Sequence, residues 1–219
     1  MITSTAAVLR RPQNLLVLVL VMIIIALLAG PVATAKKKSD YVRHVDAAAA
    51  NPMIASGVTL LPQAKIYKSS GLGPASLNPS ATRGTPESYV DADQFPGGTL
   101  TGGVTITEAQ GMNVLRQIQA NLGERGLSLS DVTTMRVFLD NAPGAGQADY
   151  AGWNRAYRQF FANTDLQTGK VLLVPMGTGQ PAKPLVKNAA RPSRFALEVA
   201  SLPVAGWLVE VEVDAVYPR

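Results

Sequence analysis

Hydrophobic and acidic residues alternate strictly along one segment late in the chain. The alternating positions are Val209, Glu210, Val211, Glu212, Val213 and Asp214. Since side chains on a strand point to opposite faces with period two, the pattern predicts a strand with one apolar and one acidic face. Acidic residues are depleted in strands, so three on one face require a specific reason.

A different period predicts a helix earlier in the chain. Apolar residues recur there at three- and four-residue spacing, which gives one apolar helix face, at Ala109, Met112, Leu115, Ile118 and Leu122. Thr105 or Thr107 can cap its start, and Gly126 is expected to end it in a left-handed conformation. Residues 132–139 then predict a strand, and residues 147–161 predict a second helix.

The remaining elements complete a fold prediction. Residues 54–61 and 65–69 read as two short strands, and residues 170–174 are a further candidate strand. Near the end, a strand begins at Arg194 and turns at Leu202-Pro203 into the acidic strand. This order predicts an α+β sandwich, with one mixed β-sheet and two helices packed on one face. The other face stays uncovered, which favours self-association.

The N-terminus has the order of an export signal. Arg10 and Arg11 precede an apolar run over residues 15–28, and Ala33-Thr34-Ala35 provides a small-residue cleavage site. We expect residues 1–35 to be a signal peptide or a membrane anchor, 36–51 a linker, and 52–219 the folded domain. Retention would anchor the chain in the membrane through residues 15–30. The expected location is periplasmic or secreted; the alternative is inner-membrane-anchored and facing outward.

Composition narrows the chemistry. The chain has no cysteine and one histidine, His44, which excludes disulfides and thiolate nucleophiles and leaves almost no material for a Ser-His-Asp triad or a histidine metal site. We therefore expect no metal and no cofactor. Removing residues 1–35 removes two basic residues and no acids, so the net charge falls from +5 to +3. The cluster Lys36–Lys38 lacks interleaved aromatics, so no nucleic-acid partner is expected.

Four motifs in order resemble the Rid family of reactive-intermediate deaminases, the YjgF-like proteins. The C-terminal motif matches Pro192-Ser193-Arg194-Phe195, Leu202-Pro203 and Val209-Glu210-Val211-Glu212-Val213. Upstream, the family's second helix is similar to residues 149–161, its helix exit and third strand to 126–139, and its Ser-Gly to Ser70-Gly71. The resemblance covers residues 52–218, with two long insertions at 72–103 and 163–190.

The resemblance implies a chorismate-mutase-like fold and a homotrimer with a site at each subunit interface. It implies that Arg194 binds the carboxylate of a 2-imino or 2-enamino acid. It also implies that Glu210 positions or deprotonates the water that attacks this acid, and Glu212 lies on the same strand face. A planar guanidinium suits a bidentate contact with a carboxylate.

The sequence departs from the family pattern beside these residues. Phe195 replaces the usual Ser or Thr, and Ile54 stands where a tyrosine reaches the pocket. Tyr67 is a candidate to replace that hydroxyl, or a strand aromatic packed in the core. We therefore expect a bulkier, less polar pocket. Such a pocket would prefer a substrate other than 2-aminoacrylate, or would bind a ligand without converting it.

Two readings of the acids and of Arg194 stay open at this point. Arg194 could form a salt bridge with Glu198 or with a neighbouring subunit, and the acids could line a solvated or trimer-facing surface. Asn154 could contact a ligand or cap local backbone. The corresponding alternative function is a non-catalytic trimer that binds or senses a small carboxylate. The second helix carries three aromatic residues, Trp153, Tyr157 and Phe160. We expect them to pack in the core and not to contact a ligand.

Overall fold

A computed structural model describes residues 39–219 of the chain. Within this range it contains six strands, which are β1 (Tyr41–His44), β2 (Gly57–Leu60), β3 (Ile66–Lys68), β4 (Val132–Leu139), β5 (Ser193–Glu198) and β6 (Val209–Val216). The same range holds two α-helices, α1 (Ile106–Gly123) and α2 (Tyr150–Phe160). None of the helices in residues 39–219 has the length and apolar character to cross a membrane. The predicted signal peptide or anchor lies outside the described residues.

Four strands form the main sheet in the order β3-β6-β4-β5. Strand β6 pairs antiparallel with β3 and with β4, whereas β4 and β5 run parallel. The sheet is therefore mixed, as expected. On β6, Val209, Val211 and Val213 are fully buried, while the alternate acids are half-buried, which confirms the period-two pattern. We call the valine side the helix face and the acidic side the open face.

Helix α1 begins and ends at the signals present in the sequence. The Thr105 side chain accepts a hydrogen bond from the Glu108 amide at 3.1 Å, which caps the first turn. At the other end, the Leu127 amide donates to the Leu122 carbonyl at 2.9 Å, and Gly126 has φ +70°. This is a Schellman ending, which favours glycine at the left-handed position. All five residues of the predicted apolar stripe are fully buried.

Helix α2 covers the same face of the sheet as α1. Asp149 caps it by accepting from the Gly152 amide at 2.7 Å. Trp153, Tyr157 and Phe160 are all fully buried, which confirms their role as core anchors. The two helices pack against each other, and α1 also contacts β6, so the sandwich has its core on the helix face.

The N-terminal part of the domain differs from the prediction. Strand β2 does not join the main sheet but pairs antiparallel with β1 in a separate two-stranded ribbon. Strand β1 lies inside residues 36–51, which were expected to form a linker with nothing to bury. Arg43 on β1 donates to the carbonyls of Ser130 and Val132 at 2.7 and 2.9 Å. The folded domain therefore extends before residue 52.

The second insertion is irregular. Residues 170–174, a candidate strand, make only isolated bridges, between Thr164 and Val171 and between Val174 and Ala182. The insertion is fixed to α1 where the Gly177 amide donates to the buried Glu108 carboxylate at 2.8 Å. This carboxylate also pairs with Arg155 of α2 at 2.8 Å.

Candidate functional site

Arg194 lies at the start of β5 and points to the helix face. Its register partner on β4 is Met135, which is fully buried in the core. The guanidinium stacks over the ring of Tyr157, with its carbon 4.3 Å from the ring centroid. One guanidinium nitrogen, Nη2, donates to Asn154 Oδ1 at 2.8 Å. Asn154 thus orients Arg194 and does not cap its own helix.

The charge of Arg194 has no carboxylate partner among residues 39–219. The predicted alternative partner, Glu198, instead accepts a hydrogen bond from the Ala148 amide at 2.8 Å. The second terminal nitrogen of Arg194, Nη1, is buried without a hydrogen-bond partner in the same range. Burial lowers the pKa of Arg194, because removing the cation from water is costly. An unpaired guanidinium of this kind suits an anionic ligand group.

Tyr157 is fixed in place below Arg194. Its hydroxyl donates to the Met53 carbonyl at 2.8 Å, and burial raises its pKa well above the ordinary value, so it stays neutral. Ile54, the residue after Met53, is partly buried against the core. The next residue, Ala55, bridges to Ser193, so Ile54 lies near the start of β5.

Arg191 organises this region, although no sequence motif singles it out. Arg191 is 1% exposed and donates to the carbonyls of Pro52, Ala189 and Thr164 at 2.7, 2.7 and 2.8 Å. It thereby ties residues 51–53 to the second insertion. Its position three residues before Arg194 is the one sequence signal for Arg191, but nothing in the neighbouring sequence indicates that its side chain is buried.

The acids of β6 have unequal surroundings on the open face. Arg136 of β4 pairs with Asp214 at 2.9 Å and with Glu212 at 3.5 Å. Lys68 also reaches Asp214 at 4.0 Å. Glu210 forms no ion pair within residues 39–219. Glu212 is therefore engaged in an ion-pair network, whereas Glu210 is not.

Glu210 is held against the backbone of Gly71. A Cβ atom added at Gly71 would lie 1.9 Å from the Glu210 Oε1 atom. The neighbouring residue, Leu72, exchanges two backbone hydrogen bonds of 2.9 Å with Val211. The Ser-Gly segment noted in the sequence is therefore fixed beside the carboxylate.

Two predicted pocket residues lie away from Arg194. Phe195 is on the open face, 45% exposed, and forms an edge-to-face pair with Phe138 at 6.4 Å between ring centroids. Tyr67 faces the helices, since its register partner is Ala215, and its hydroxyl donates to Asn121 at 2.8 Å. Tyr67 is therefore a packed strand aromatic on the face opposite Glu210.

The two main candidates lie on opposite faces of one sheet. Arg194 shares the helix face with its register partner Met135. Glu210 lies on the open face, because its register partner on β4 is Phe138, whose own partner on β5 is the exposed Leu197. Two open surface pockets in the described residues, of about 310 and 450 Å³, are lined by residues other than Arg194 and Glu210. Within residues 39–219, no group of three or more His, Cys, Asp or Glu side chains is placed to hold a metal ion.

Comparison with solved structures gives the following similarities. The YjgF gene product of E. coli is 20% identical, with 80% of this chain and 98% of that chain covered and a TM-score of 0.39. E. coli TdcF with bound serine is also 20% identical, with coverage of 80% and 99% and a TM-score of 0.39. The Rid-family protein YyfB of Yersinia pestis is 15% identical, with coverage of 81% and 99% and a TM-score of 0.42.

A family model provides the assignment. No curated protein sequence matches the chain. The model described as endoribonuclease L-PSP matches residues 94–217, which is more than half of the chain and includes α1, α2 and strands β4 to β6. The fold is the α+β, chorismate-mutase-like sandwich that the resemblance implied. The chain therefore belongs to the endoribonuclease L-PSP family, the YjgF or Rid family indicated by its sequence motifs.

Proposed function

We propose that this protein hydrolyses 2-imino or 2-enamino acids to 2-keto acids and ammonia, at a site shared between subunits. The observation that carries the proposal is the state of two side chains. Arg194 is a largely buried cation, and Glu210 is a carboxylate held against Gly71; neither has an ion-pair partner within residues 39–219. A carboxylate grip and a base for water are the two groups that this hydrolysis requires.

The reaction divides simply between the two groups. Arg194 binds the substrate carboxylate, which places the imine carbon next to a water molecule. Glu210 accepts a proton from this water as its oxygen bonds to the carbon of the protonated imine, and the electron pair of the carbon–nitrogen double bond moves to the nitrogen. The carbon–nitrogen bond of the resulting carbinolamine then breaks, which releases ammonia and leaves the 2-keto acid. Glu210 gives its proton to the departing nitrogen, then accepts the hydroxyl proton as the keto group forms and releases it to the solvent.

Opposite placement of the two groups favours an intersubunit site. Because Arg194 and Glu210 lie on different faces of the sheet, one subunit does not present both to the same small substrate. A neighbouring copy that packs on the open face supplies the missing group. This face carries the exposed apolar residues Phe195 and Leu197, at 45% and 49% exposure. The homotrimer implied by the family resemblance provides such a neighbour for each subunit.

Export places the reaction outside the cytoplasm in this proposal. The basic start, apolar run and Ala33-Thr34-Ala35 site support a location in the periplasm or on the outer side of the membrane. The substrates are then external imino acids, such as the products of amino-acid oxidation.

The first test measures ammonia release by the purified full-length chain supplied with freshly generated 2-imino acids. We expect turnover in the native protein and none in Arg194→Ala. Glu210→Gln should lose turnover and keep ligand binding, because it removes the base and leaves the guanidinium. Absence of turnover with small, aliphatic and aromatic imino acids would contradict the proposal.

Mixing the two inactive variants tests the shared site. If each site takes Arg194 from one subunit and Glu210 from the next, random mixed oligomers of equal composition contain about one quarter intact sites. They should recover about a quarter of the native rate after dissociation and reassociation. A site built within one subunit would recover no activity, which would remove the intersubunit part of the proposal.

The alternative function is a non-catalytic protein that binds or senses a small carboxylate. The apolar residue Ile54, near the start of β5, favours this alternative, because the family has a tyrosine hydroxyl there. A binding protein would keep its full ligand response in Glu210→Gln and show no ammonia release in the native form.

A further inference from the structure

Four arginines place positive charge near Tyr157, namely Arg43, Arg158, Arg191 and Arg194. Arg194 stacks on the ring, and Arg158 follows Tyr157 in helix α2. Arg43 lies at the start of β4, where it binds the Val132 carbonyl, next to the start of β5. Burial raises the pKa of Tyr157, and the charges of all four arginines oppose that increase, so all four act on its hydroxyl.

These charges are only partly balanced by acids. Within residues 39–219, no ion pair involves any of the four arginines, since the pairs present use other cations. Asp165 attracts Arg191 electrostatically and so balances part of one of the four charges. Arg43 and Arg191 donate to backbone carbonyls, which satisfy hydrogen bonds and do not neutralise charge. The region therefore carries an excess of positive charge beyond that needed for one carboxylate.

Arg158 is placed to receive a second anionic group. It lies one helical turn after Asn154, the residue that binds Arg194. Side chains four residues apart on a helix are neighbours, with about 5–6 Å between their Cβ atoms. The Arg158 side chain is only half-buried, so it is accessible, in contrast to Arg191.

From this arrangement we infer that the ligand is a dicarboxylate, with its 2-carboxylate on Arg194 and its distal carboxylate on Arg158. The inference rests on the proposed function and adds the substrate class, a 2-imino acid with an acidic side chain. Arg43 and Arg191 contribute to the attraction through their charge, while their donors remain on the backbone. A monocarboxylate would leave the charge of Arg158 unanswered.

The test compares two keto acids of equal chain length, 2-oxoglutarate and 2-oxopentanoate, which differ in the distal carboxylate. Binding to the full-length protein is measured by titration calorimetry. We expect 2-oxoglutarate to bind about tenfold more tightly, as for a charge-assisted contact in a partly buried site. Arg158→Gln should remove this preference and leave the affinity for 2-oxopentanoate within about twofold.

Arg83→Gln is the matched control. Arg83 is exposed, and its neighbour Gly84 lies near Ala205. Ala205 is in the turn after β5, whereas Arg194 is at the start of that strand, so Arg83 lies toward the other end of β5. The variant removes the same charge and should keep the preference. Equal binding of the two acids, no binding of either, or a preference that survives Arg158→Gln would overturn the inference.

Turnover separates this inference from the function on which it rests. The same proteins are supplied with the 2-imino acids that correspond to the two probes. Turnover without a dicarboxylate preference would remove the inference and leave the hydrolase. A dicarboxylate preference in binding without any turnover would leave the site and remove the hydrolase.

Discussion

Replacing Gly71 with alanine tests whether the position of the Glu210 carboxylate controls the reaction. The added Cβ would lie 1.9 Å from the Glu210 Oε1 atom, 2.9 Å from its carboxyl carbon and 3.3 Å from its Cγ. Ordinary contact begins near 3.4 Å, so the carboxylate must retreat by about 1.5 Å. The backbone cannot move instead, because Leu72 and Val211 hold it with two hydrogen bonds.

The expected result is a loss of activity with little loss of stability. A displacement of about 1 Å in a catalytic group costs on the order of 100-fold in rate, so we expect kcat for ammonia release to fall by about that factor. Gly71 does not have a positive φ, and the clashing atoms end a flexible side chain, so the free energy of unfolding should change by less than about 1 kcal/mol. The assays are steady-state ammonia release and urea denaturation.

The matched control is Gly123→Ala at the end of α1, where an added Cβ has no neighbour within 4 Å. It should leave activity unchanged and stabilise the protein by about 0.5–1 kcal/mol. Activity of Gly71→Ala within threefold of the native rate would refute the role of Glu210 position. A stability loss above about 2 kcal/mol would show that the strand moves and not the carboxylate.

Three further predictions follow from buried, titrating and exposed groups. Arg191→Met removes a buried cation and leaves the three carbonyls that it binds without that donor, so it should reduce the free energy of unfolding by about 3–5 kcal/mol. Arg125→Met, on the surface, should change it by less than about 0.5 kcal/mol in the same urea titration. Hydrogen bonds, first from the side chain of Asn51, hold the pKa of Asp165 below its usual range. The ionised Asp165 carboxylate therefore stabilises the fold above about pH 4, and this contribution is lost as the pH falls further. Between about pH 6 and pH 3, Asp165→Asn should therefore lose less stability than the native protein. Equal losses in the two proteins would argue against this role. Phe195→Lys places a charge on the exposed open face and should lower the mass in light scattering; an unchanged mass would exclude that face from the interface.

The sequence was sufficient for elements whose pattern is local. Residues 132–139 were predicted as a strand with the bounds that the structure shows for β4. The caps at Thr105 and Gly126 are short-range hydrogen-bond signals, so they identify helix ends without knowledge of the fold. The acidic face of β6 follows from period two alone.

Properties that depend on pairing between distant segments could not be predicted from the sequence. The face of Arg194 is set by the register of β5 on β4, and a shift of one residue would reverse it. The choice between a pocket role and a core role for Tyr67 stayed open for the same reason, because its face depends on its pairing with Ala215. Strand β1 was missed because four residues of mixed polarity form a strand only when β2 offers an edge.

The position of β6 in the sheet has a consequence for how the chain acquires its structure. Strand β6 lies between β3 and β4, and it pairs residue 216 with residue 66. During synthesis from the N-terminus, the edges of β3 and β4 that pair with β6 therefore lack a partner until residues 209–216 have emerged. The backbone hydrogen-bonding edges of these strands stay unpaired until then, so the main sheet cannot close before β6 has been synthesised.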